Sequence, residues 1–147
     1  MSTDNLDVNE WIRFAQTDYD CALKLAEVFY PTPIEIICYH CQQSAEKILK
    51  AYTLAKGNKL TKTHELDVLI EQCKQHSPDF DNYTKFCTTL TSYVSVSRYP
   101  PKIEITKEDM KRALKNTSKI LEFTKSKLKG MGYEYIPEDL PQSGSDC

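Results

Sequence analysis

The sequence predicts an all-α protein that folds as an up-and-down bundle of four or five helices. Apolar residues recur at intervals of three and four along most of the chain, which is the period of a helix with one buried face. Only four of the 147 residues are glycine. Short segments containing proline, glycine or serine separate the periodic stretches, and short connections are typical of a helical bundle.

The first helix is predicted to begin at a capping box formed by Asp7 and Glu10. The segment YPTP at residues 30–33 ends it, because proline cannot continue a helix. The apolar stripe of this helix contains one acid, Asp18, which needs a partner because burying an unpaired charge is costly. The full stripe is Trp11, Ala15, Asp18, Ala22, Leu25 and Phe29.

The second helix is predicted from Ile34 to Ala55, and Gly57 ends it. Its apolar residues form one broad face. A polar strip borders that face within about 100° on the helical wheel, and Lys50 is predicted to extend the strip toward solvent. The strip consists of His40, Gln43, Ser44 and Lys47.

Two shorter helices follow. The third is predicted to begin at Thr63 or His64 and to end at the segment Ser-Pro-Asp. The fourth is predicted from roughly Phe80 to Ser97, where the segment Arg-Tyr-Pro-Pro ends it.

The fifth helix is predicted to begin after a capping box of Thr106 and Asp109. We predict that the helical bundle occupies residues 1–130 as a single domain. Residues 131–147 are rich in glycine, proline and serine and have no periodicity, so we predict an extended or disordered tail there.

The composition predicts a cytoplasmic globular protein that does not act at a membrane. Hydrophobic residues make up 40% and charged residues 27% of the chain, and the net charge of -2 argues against nucleic-acid binding by the molecule as a whole. No apolar run approaches the ~18 residues that a membrane helix needs. The first residues are polar and acidic rather than signal-like, and six cysteines in such a chain indicate reduced thiols.

Four potential metal ligands are spaced as two pairs, Cys38 with Cys41 and Cys73 with His76. Thiolate and imidazole suit zinc, but its structural sites usually place such pairs on tight turns rather than inside amphipathic helices. Buried free cysteine behaves as a small apolar residue. We therefore favour core cysteines over a zinc site, and we predict no metal, no cofactor and no Cys/His nucleophile.

The polar strip of the second helix suggests a cleft against the fourth helix. We expect Asp18 from the first helix and Arg98, with its neighbour Tyr99, to join His40, Gln43, Ser44 and Lys47 around a phosphate or nucleotide. Two simpler interpretations stay open. Asp18 is neutralised by Lys47 or Arg98 as a structural pair, or Arg98 complements the carboxyl end of its own helix.

The fifth helix carries eight basic and three acidic residues, a net charge of +5. Such a segment attracts RNA or an acidic protein surface. No aromatic residues interleave with its lysines, so a contact with a protein partner is favoured over a nucleic-acid groove. The basic residues are Lys107, Lys111, Arg112, Lys115, Lys119, Lys125, Lys127 and Lys129.

Several segments resemble the HEPN domain family over roughly residues 9 to 129. They are CYHCQQSAEKILKAY at residues 38–52, KTHELDVLIEQC at 62–73 and SRYPP at 97–101, with support from IRFAQTDYDCALKLA at 12–26. The resemblance implies an up-and-down helical bundle that forms a homodimer. It also implies a partner, a minimal nucleotidyltransferase encoded beside it, and such pairs include toxin–antitoxin systems.

The family that this chain resembles includes many toxins that are metal-independent ribonucleases. They use a motif in which an Arg is followed four to six residues later by a His. This chain departs from that pattern, because neither Arg13, Arg98 nor Arg112 is followed by histidine at those positions. We therefore expect a non-catalytic binding subunit that pairs with a nucleotidyltransferase. The alternative is a metal-independent ribonuclease toxin that combines His40 or His64 with Arg98 in space.

Overall fold

The computed structural model describes the backbone of residues 3–59, 62–97 and 104–137, and the side chains of residues 8–59, 62–94 and 104–137. The described residues form helices without strands, which confirms the all-α prediction. The α-helices are α1 (Thr3–Val28), α2 (Ile34–Ala55), α3 (Leu66–His76), α4 (Thr84–Ser97) and α5 (Lys107–Gly130), and a 3₁₀ segment spans Pro78–Tyr83.

Helix α2 lies at the centre of the bundle. It packs most extensively against α1 and also contacts α3, α4 and α5. Its side chains are buried almost without interruption from Cys41 to Leu54. Ala45, Ile48 and Leu49 are fully buried there. The central position means that polar as well as apolar side chains of α2 lie inside the protein.

The ends of α2 and α5 are where the sequence predicts them. Thr106 Oγ1 accepts a hydrogen bond from the backbone N–H of Asp109 at 3.0 Å, and Asp109 Oδ2 accepts one from the backbone N–H of Thr106 at 3.0 Å. This reciprocal pair is the predicted capping box, and it satisfies donors that the first helical turn leaves free. Gly57, which follows α2, has φ +92°, a conformation that glycine adopts without strain.

Four predicted boundaries are wrong, and one of them is the start of α3, which lies at Leu66 instead of Thr63 or His64. Helix α1 begins at Thr3, so Asp7 lies within the helix rather than capping it. No glycine or proline interrupts residues 3–6, so nothing there ends the helix early. Phe29 follows the helix and is 56% exposed instead of buried. Thr84, not Phe80, begins α4, because the preceding six residues adopt the tighter 3₁₀ form.

The cysteines of the two predicted ligand pairs belong to the hydrophobic core. Cys38, Cys41 and Cys73 are at most 1% exposed. Burial raises the pKa of the Cys38 thiol to about 12 and that of the Cys41 thiol to about 11. These thiols are therefore neutral at physiological pH and act as small apolar groups.

The chain after α5 lies against the bundle. The backbone N–H of Tyr133 donates to the carbonyl oxygen of Leu128 at 2.9 Å, and that of Glu134 donates to Asn9 Oδ1 of α1 at 3.1 Å. Tyr133 and Tyr135 pack on the core. Residues 133–137 have no regular secondary structure, and the rest of the predicted tail lies outside the described residues. No helix in the described part of the chain is long and apolar enough to cross a membrane.

Candidate functional site

Asp18 of α1 contacts two side chains of α2, the ammonium group of Lys47 and the imidazole ring of His40. Its Oδ2 lies 2.5 Å from Lys47 Nζ, and its Oδ1 lies 3.1 Å from His40 Nδ1. An ionised carboxylate only accepts hydrogen bonds, so Nδ1 is the donor of His40 when Asp18 is charged. The side chains are 15%, 25% and 27% exposed for Asp18, Lys47 and His40. These three residues are the Asp18 cluster, and water reaches all of them.

The other two residues of the polar strip fix the helices around this cluster. Ser44 is fully buried, and its hydroxyl donates to the carbonyl oxygen of Ala15 at 2.7 Å, which ties α2 to α1. Gln43 Nε2 donates to Gln42 Oε1 at 2.8 Å. The partners shown for the strip therefore lie on α1 and α2 rather than on α4, and the predicted Arg98 and Tyr99 lie outside the described residues.

Two partly exposed aromatic rings flank the Asp18 cluster. Phe14 is 39% exposed, with the guanidinium carbon of Arg13 at 4.5 Å from its ring centre and Lys47 Nζ at 5.9 Å. Tyr39 is 43% exposed and meets the ring of His40 edge-on at 5.7 Å. Contacts therefore run without a break from Arg13 through Phe14, the cluster and Tyr39. We call these six residues the α1/α2 surface.

A second group of charged residues is centred on Glu46 of α2. Glu46 Oε2 is 2.9 Å from Lys50 Nζ and 2.9 Å from His64 Nδ1, and Glu46 Oε1 is 3.4 Å from Gln42 Nε2. The Glu46 and Lys50 side chains are only 3% and 5% exposed, whereas the His64 side chain is 79% exposed. Gln42, Glu46, Lys50 and His64 are the Glu46 cluster.

The prediction that Lys50 points toward solvent is wrong. Glu46, one turn earlier on α2, binds its ammonium group, and the ring of Trp11 on α1 lies 5.6 Å from Nζ. The attraction of a cation to an aromatic face adds to the ion pair where water is excluded. These contacts, together with the central position of α2, hold Lys50 inside the protein.

The comparison with protein-family models matches residues 8–128 to the HEPN domain. The match covers most of the 147 residues. The chain belongs to the HEPN domain family. No match was found among curated proteins or among solved structures. The helical bundle expected from the resemblance is confirmed by the structure, and both charged clusters lie inside the matched region of this HEPN chain.

The Glu46 cluster was missed because the helical wheel gave α2 only one buried face. Two sequence signals point to it. Glu46 and Lys50 are four residues apart, a spacing that places them on one side of a helix. His64 sits at the start of one of the segments that resemble the HEPN family. Neither signal says that the ion pair is buried or that the histidine reaches it.

The HEPN chain offers no metal site in the part that the structure describes. No group of three or more His, Cys, Asp or Glu side chains there could hold an ion. His76 is directed to Asn58, with 2.7 Å between His76 Nε2 and Asn58 Oδ1, rather than to a cysteine. Cys73, the other member of the predicted pair, is a core residue.

The basic α5 helix carries Phe123 among its lysines, with Lys127 Nζ 4.8 Å from its ring centre, and it meets further aromatic residues from α4 and the 3₁₀ segment before it. A groove of about 510 Å³ between these elements is lined by three aromatic and three cationic side chains, with no acid in its lining. The prediction that no aromatic residue interleaves with the lysines is therefore wrong, both on α5 itself and in the groove. The six residues are Tyr83, Phe86, Tyr93, Lys85, Arg112 and Lys119.

Proposed function

We propose that this HEPN chain is a cytoplasmic, non-catalytic binding subunit that forms a homodimer, pairs with a minimal nucleotidyltransferase and contacts the phosphate of a nucleotide. The observation that supports the nucleotide contact is the α1/α2 surface. It places Lys47 and His40 beside two exposed aromatic rings. A cation next to an aromatic face is the pairing that binds a phosphate together with a base.

The electrostatics of the Asp18 cluster fit an incoming anion. One carboxylate faces Lys47 and His40, and Arg13 lies at the near edge, where Glu10 pairs with it at 2.5 Å. Lys47 and His40 keep about a quarter of their side chains exposed. A phosphate therefore reaches Lys47 and His40 without displacing Asp18, and Asp18 orients both groups.

Calorimetric titration of the protein with ATP, GTP and UTP tests the nucleotide contact. We expect binding by the unmodified protein and at least about tenfold weaker binding by Lys47→Ala, since a charged hydrogen bond contributes about 1.5–3 kcal/mol. Lys24→Ala is the matched control, because Lys24 lies on the exposed side of α1 and its nearest acid, Glu27, is 3.6 Å away. No heat of binding with any of the three nucleotides would remove the nucleotide part of the proposal.

The protein partner is tested separately. If the gene next to this chain encodes a minimal nucleotidyltransferase, co-expression of the two should give a complex that survives size-exclusion chromatography, and sedimentation of the HEPN chain alone should give the mass of a dimer. Recovery of the two proteins in separate fractions would contradict the pairing even if nucleotide binds.

The alternative function is a ribonuclease toxin. One observation favours it: His64 is an exposed imidazole held by a carboxylate, which is an arrangement that general bases use. Purified protein incubated with tRNA in EDTA should leave the RNA intact under the main proposal. Cleavage that His64→Gln or His40→Gln abolishes would instead establish the ribonuclease.

A further inference from the structure

The Glu46 cluster presents one nitrogen of His64 to solvent and holds the other. An ionised carboxylate accepts hydrogen bonds only, so the 2.9 Å contact places a proton on His64 Nδ1. The lone pair of a neutral imidazole is then on Nε2, at the far side of the ring. With 79% of the side chain exposed, this nitrogen is open to attack an electrophile.

The rest of the cluster fixes this geometry. Lys50 binds the same oxygen of Glu46 from inside the protein, and Gln42 Nε2 donates to the backbone carbonyl oxygen of His64 at 3.3 Å. The hydroxyl of Thr63 accepts from the backbone N–H of Glu65 at 3.1 Å, which shapes the loop around His64. Both the ring and the backbone of His64 are therefore held, and only its outer edge is free.

A buried ion pair contributes little to stability compared with apolar side chains of the same volume. The hydrogen bond from His64 satisfies an acceptor of the buried Glu46 carboxylate, but that role alone does not require an imidazole that is 79% exposed. With 79% of its side chain exposed, the histidine lies on the surface, where a reagent from solvent reaches it directly.

The charges near His64 indicate the class of electrophile. Lys56, Lys59 and Lys62 precede it within eight residues, whereas the acids Glu65, Asp67 and Glu71 follow it within seven, so the lysines lie on one side of His64 in the sequence. Lys56, Lys59 and Lys62 are all exposed. The exposed lysines of the preceding segment attract anionic reagents, and activated phosphoryl donors are anionic.

We propose that His64 is a phosphoryl-acceptor site, modified on Nε2 by a donor of the phosphoramidate or acyl phosphate class. The Nε2 lone pair attacks phosphorus, the N–P bond forms, and the bond from phosphorus to the leaving group breaks with its electron pair. The leaving amine or carboxylate departs with that pair. The positive charge that develops on the ring is stabilised by Glu46, and loss of the Nδ1 proton to solvent leaves a phosphohistidine with a neutral ring and an anionic phosphoryl group. The proposal is independent of nucleotide binding at the α1/α2 surface.

The three histidines allow an internal control, because each has a different partner. Nδ1 of His64 is bonded to a carboxylate, whereas His76 uses Nε2 to contact the amide of Asn58. His40 has a carboxylate on Nδ1 but is mostly covered, with 27% of its side chain exposed. Potassium phosphoramidate should therefore label His64 on Nε2 and His76 on Nδ1, and it should label His40 slowly.

The experiment treats the full chain with phosphoramidate and follows each histidine by peptide mass spectrometry and by ³¹P NMR, which separates the two phosphohistidine isomers. We expect His64 to react about tenfold faster than His76. The charged Glu46 stabilises the positive charge that develops on the His64 ring, whereas the partner of His76 is a neutral amide. The ratio should fall to about one in urea, where the orientation by Glu46 is lost. Glu46→Gln, checked for folding by circular dichroism, should slow labelling of His64 and leave His76 unchanged.

The comparison within the unmodified protein keeps the test decisive if Glu46→Gln does not fold. Equal rates at His64 and His76 in the native state would overturn the proposal. So would labelling of His64 mainly on Nδ1, because that isomer requires the contact with Glu46 to be absent.

Discussion

The Asp18 cluster and the Glu46 cluster are built from the same groups, a carboxylate, a lysine and a histidine, yet they distribute them differently. In the Asp18 cluster the carboxylate comes from α1, and all three side chains are between 15% and 27% exposed. In the Glu46 cluster the carboxylate and the lysine share α2 and lie inside the protein, while the histidine stands in solvent.

The difference separates two uses of charge. Water screens the Asp18 cluster, so its ion pair contributes modestly to stability and its cations remain available to an external anion. The ion pair of the Glu46 cluster is desolvated, so removing one partner is costly and the cluster acts mainly by orienting His64. The following predictions measure this difference, beginning with the largest effect.

Truncating either member of the buried pair should give the largest loss of stability. Glu46→Ala and Lys50→Ala each leave one charge buried without its counter-charge, and we expect the free energy of unfolding to fall by about 3–5 kcal/mol. Urea unfolding followed by circular dichroism measures it. Lys74→Ala is the control, because Lys74 pairs with the exposed side chains of Glu71 and Asp81 and should cost about 1 kcal/mol or less. A loss that small for Lys50→Ala would mean that the pair is not desolvated.

Asp18→Ala should have an intermediate effect. It removes an acceptor shared by Lys47 and His40, but both of those side chains keep access to water. We expect a loss of about 1.5–3 kcal/mol, the range for hydrogen bonds to charged groups. The loss should shrink at high salt, whereas that of Lys50→Ala should not, because salt screens buried pairs much less. Equal salt dependence in the two variants would remove the distinction between the clusters.

Alkaline pH should destabilise the protein through buried thiols, two on α2 and also Cys73 of α3 and Cys87 of α4, whose pKa values burial raises as well, rather than through carboxylates. Burial raises the pKa of Cys38 and Cys41 from 9.0 to about 12 and about 11. Below pH 9 both folded and unfolded chains keep these thiols protonated, so nothing changes. Above pH 9 the unfolded chain ionises first, and the free energy of unfolding falls by about 1.4 kcal/mol per pH unit for each thiol.

Unfolding curves between pH 8 and 10 check this dependence. Cys41→Ala should reduce the slope above pH 9, and Cys21→Ala, a change at an exposed thiol, should leave it unchanged. An identical slope in both variants and in the unmodified protein would assign the alkaline loss to other groups.

Ser44→Ala should have the smallest effect. It removes one neutral hydrogen bond between α2 and the carbonyl oxygen of Ala15, and neither cluster loses a charge. We expect a loss of about 0.5–1.5 kcal/mol. The measurement is again urea unfolding, and nucleotide titration of the same variant should match the unmodified protein. Weaker nucleotide binding would show that the distance between α1 and α2 controls the α1/α2 surface.

What the sequence could predict depends on how local each interaction is. The ends of α2 follow from a proline before it and a glycine after it, and the cap of α5 joins residues three apart. The contact between Asp18 and Lys47, an expected structural pair, is present. Two sequence features predicted this pair: an acid within the apolar stripe of α1 and a lysine beside the apolar face of α2.

The Glu46 cluster could not be predicted by the same means. A helical wheel assumes one buried face and one solvated face, but α2 contacts four other helices, so its polar side is also covered. His64 is 18 residues away from Glu46 along the chain, and no periodic pattern links a loop residue to a helix at that separation. The predicted cleft with α4 was inferred from Arg98, which lies outside the described residues.

The central position of α2 has a consequence for hydrogen exchange. Amide protons exchange with solvent only when the structure around them opens, and the most protected amides are those released by global unfolding alone. The stretch from Cys41 to Leu54 is buried apart from Gln43 and Lys47, so its amides should be the last to take up deuterium. The side of α2 that carries Glu46 and Lys50 should be as protected as the side that carries Ile48 and Leu49. The two charged residues then belong to the slowest-exchanging unit of the protein, although His64, which they hold, stands outside it.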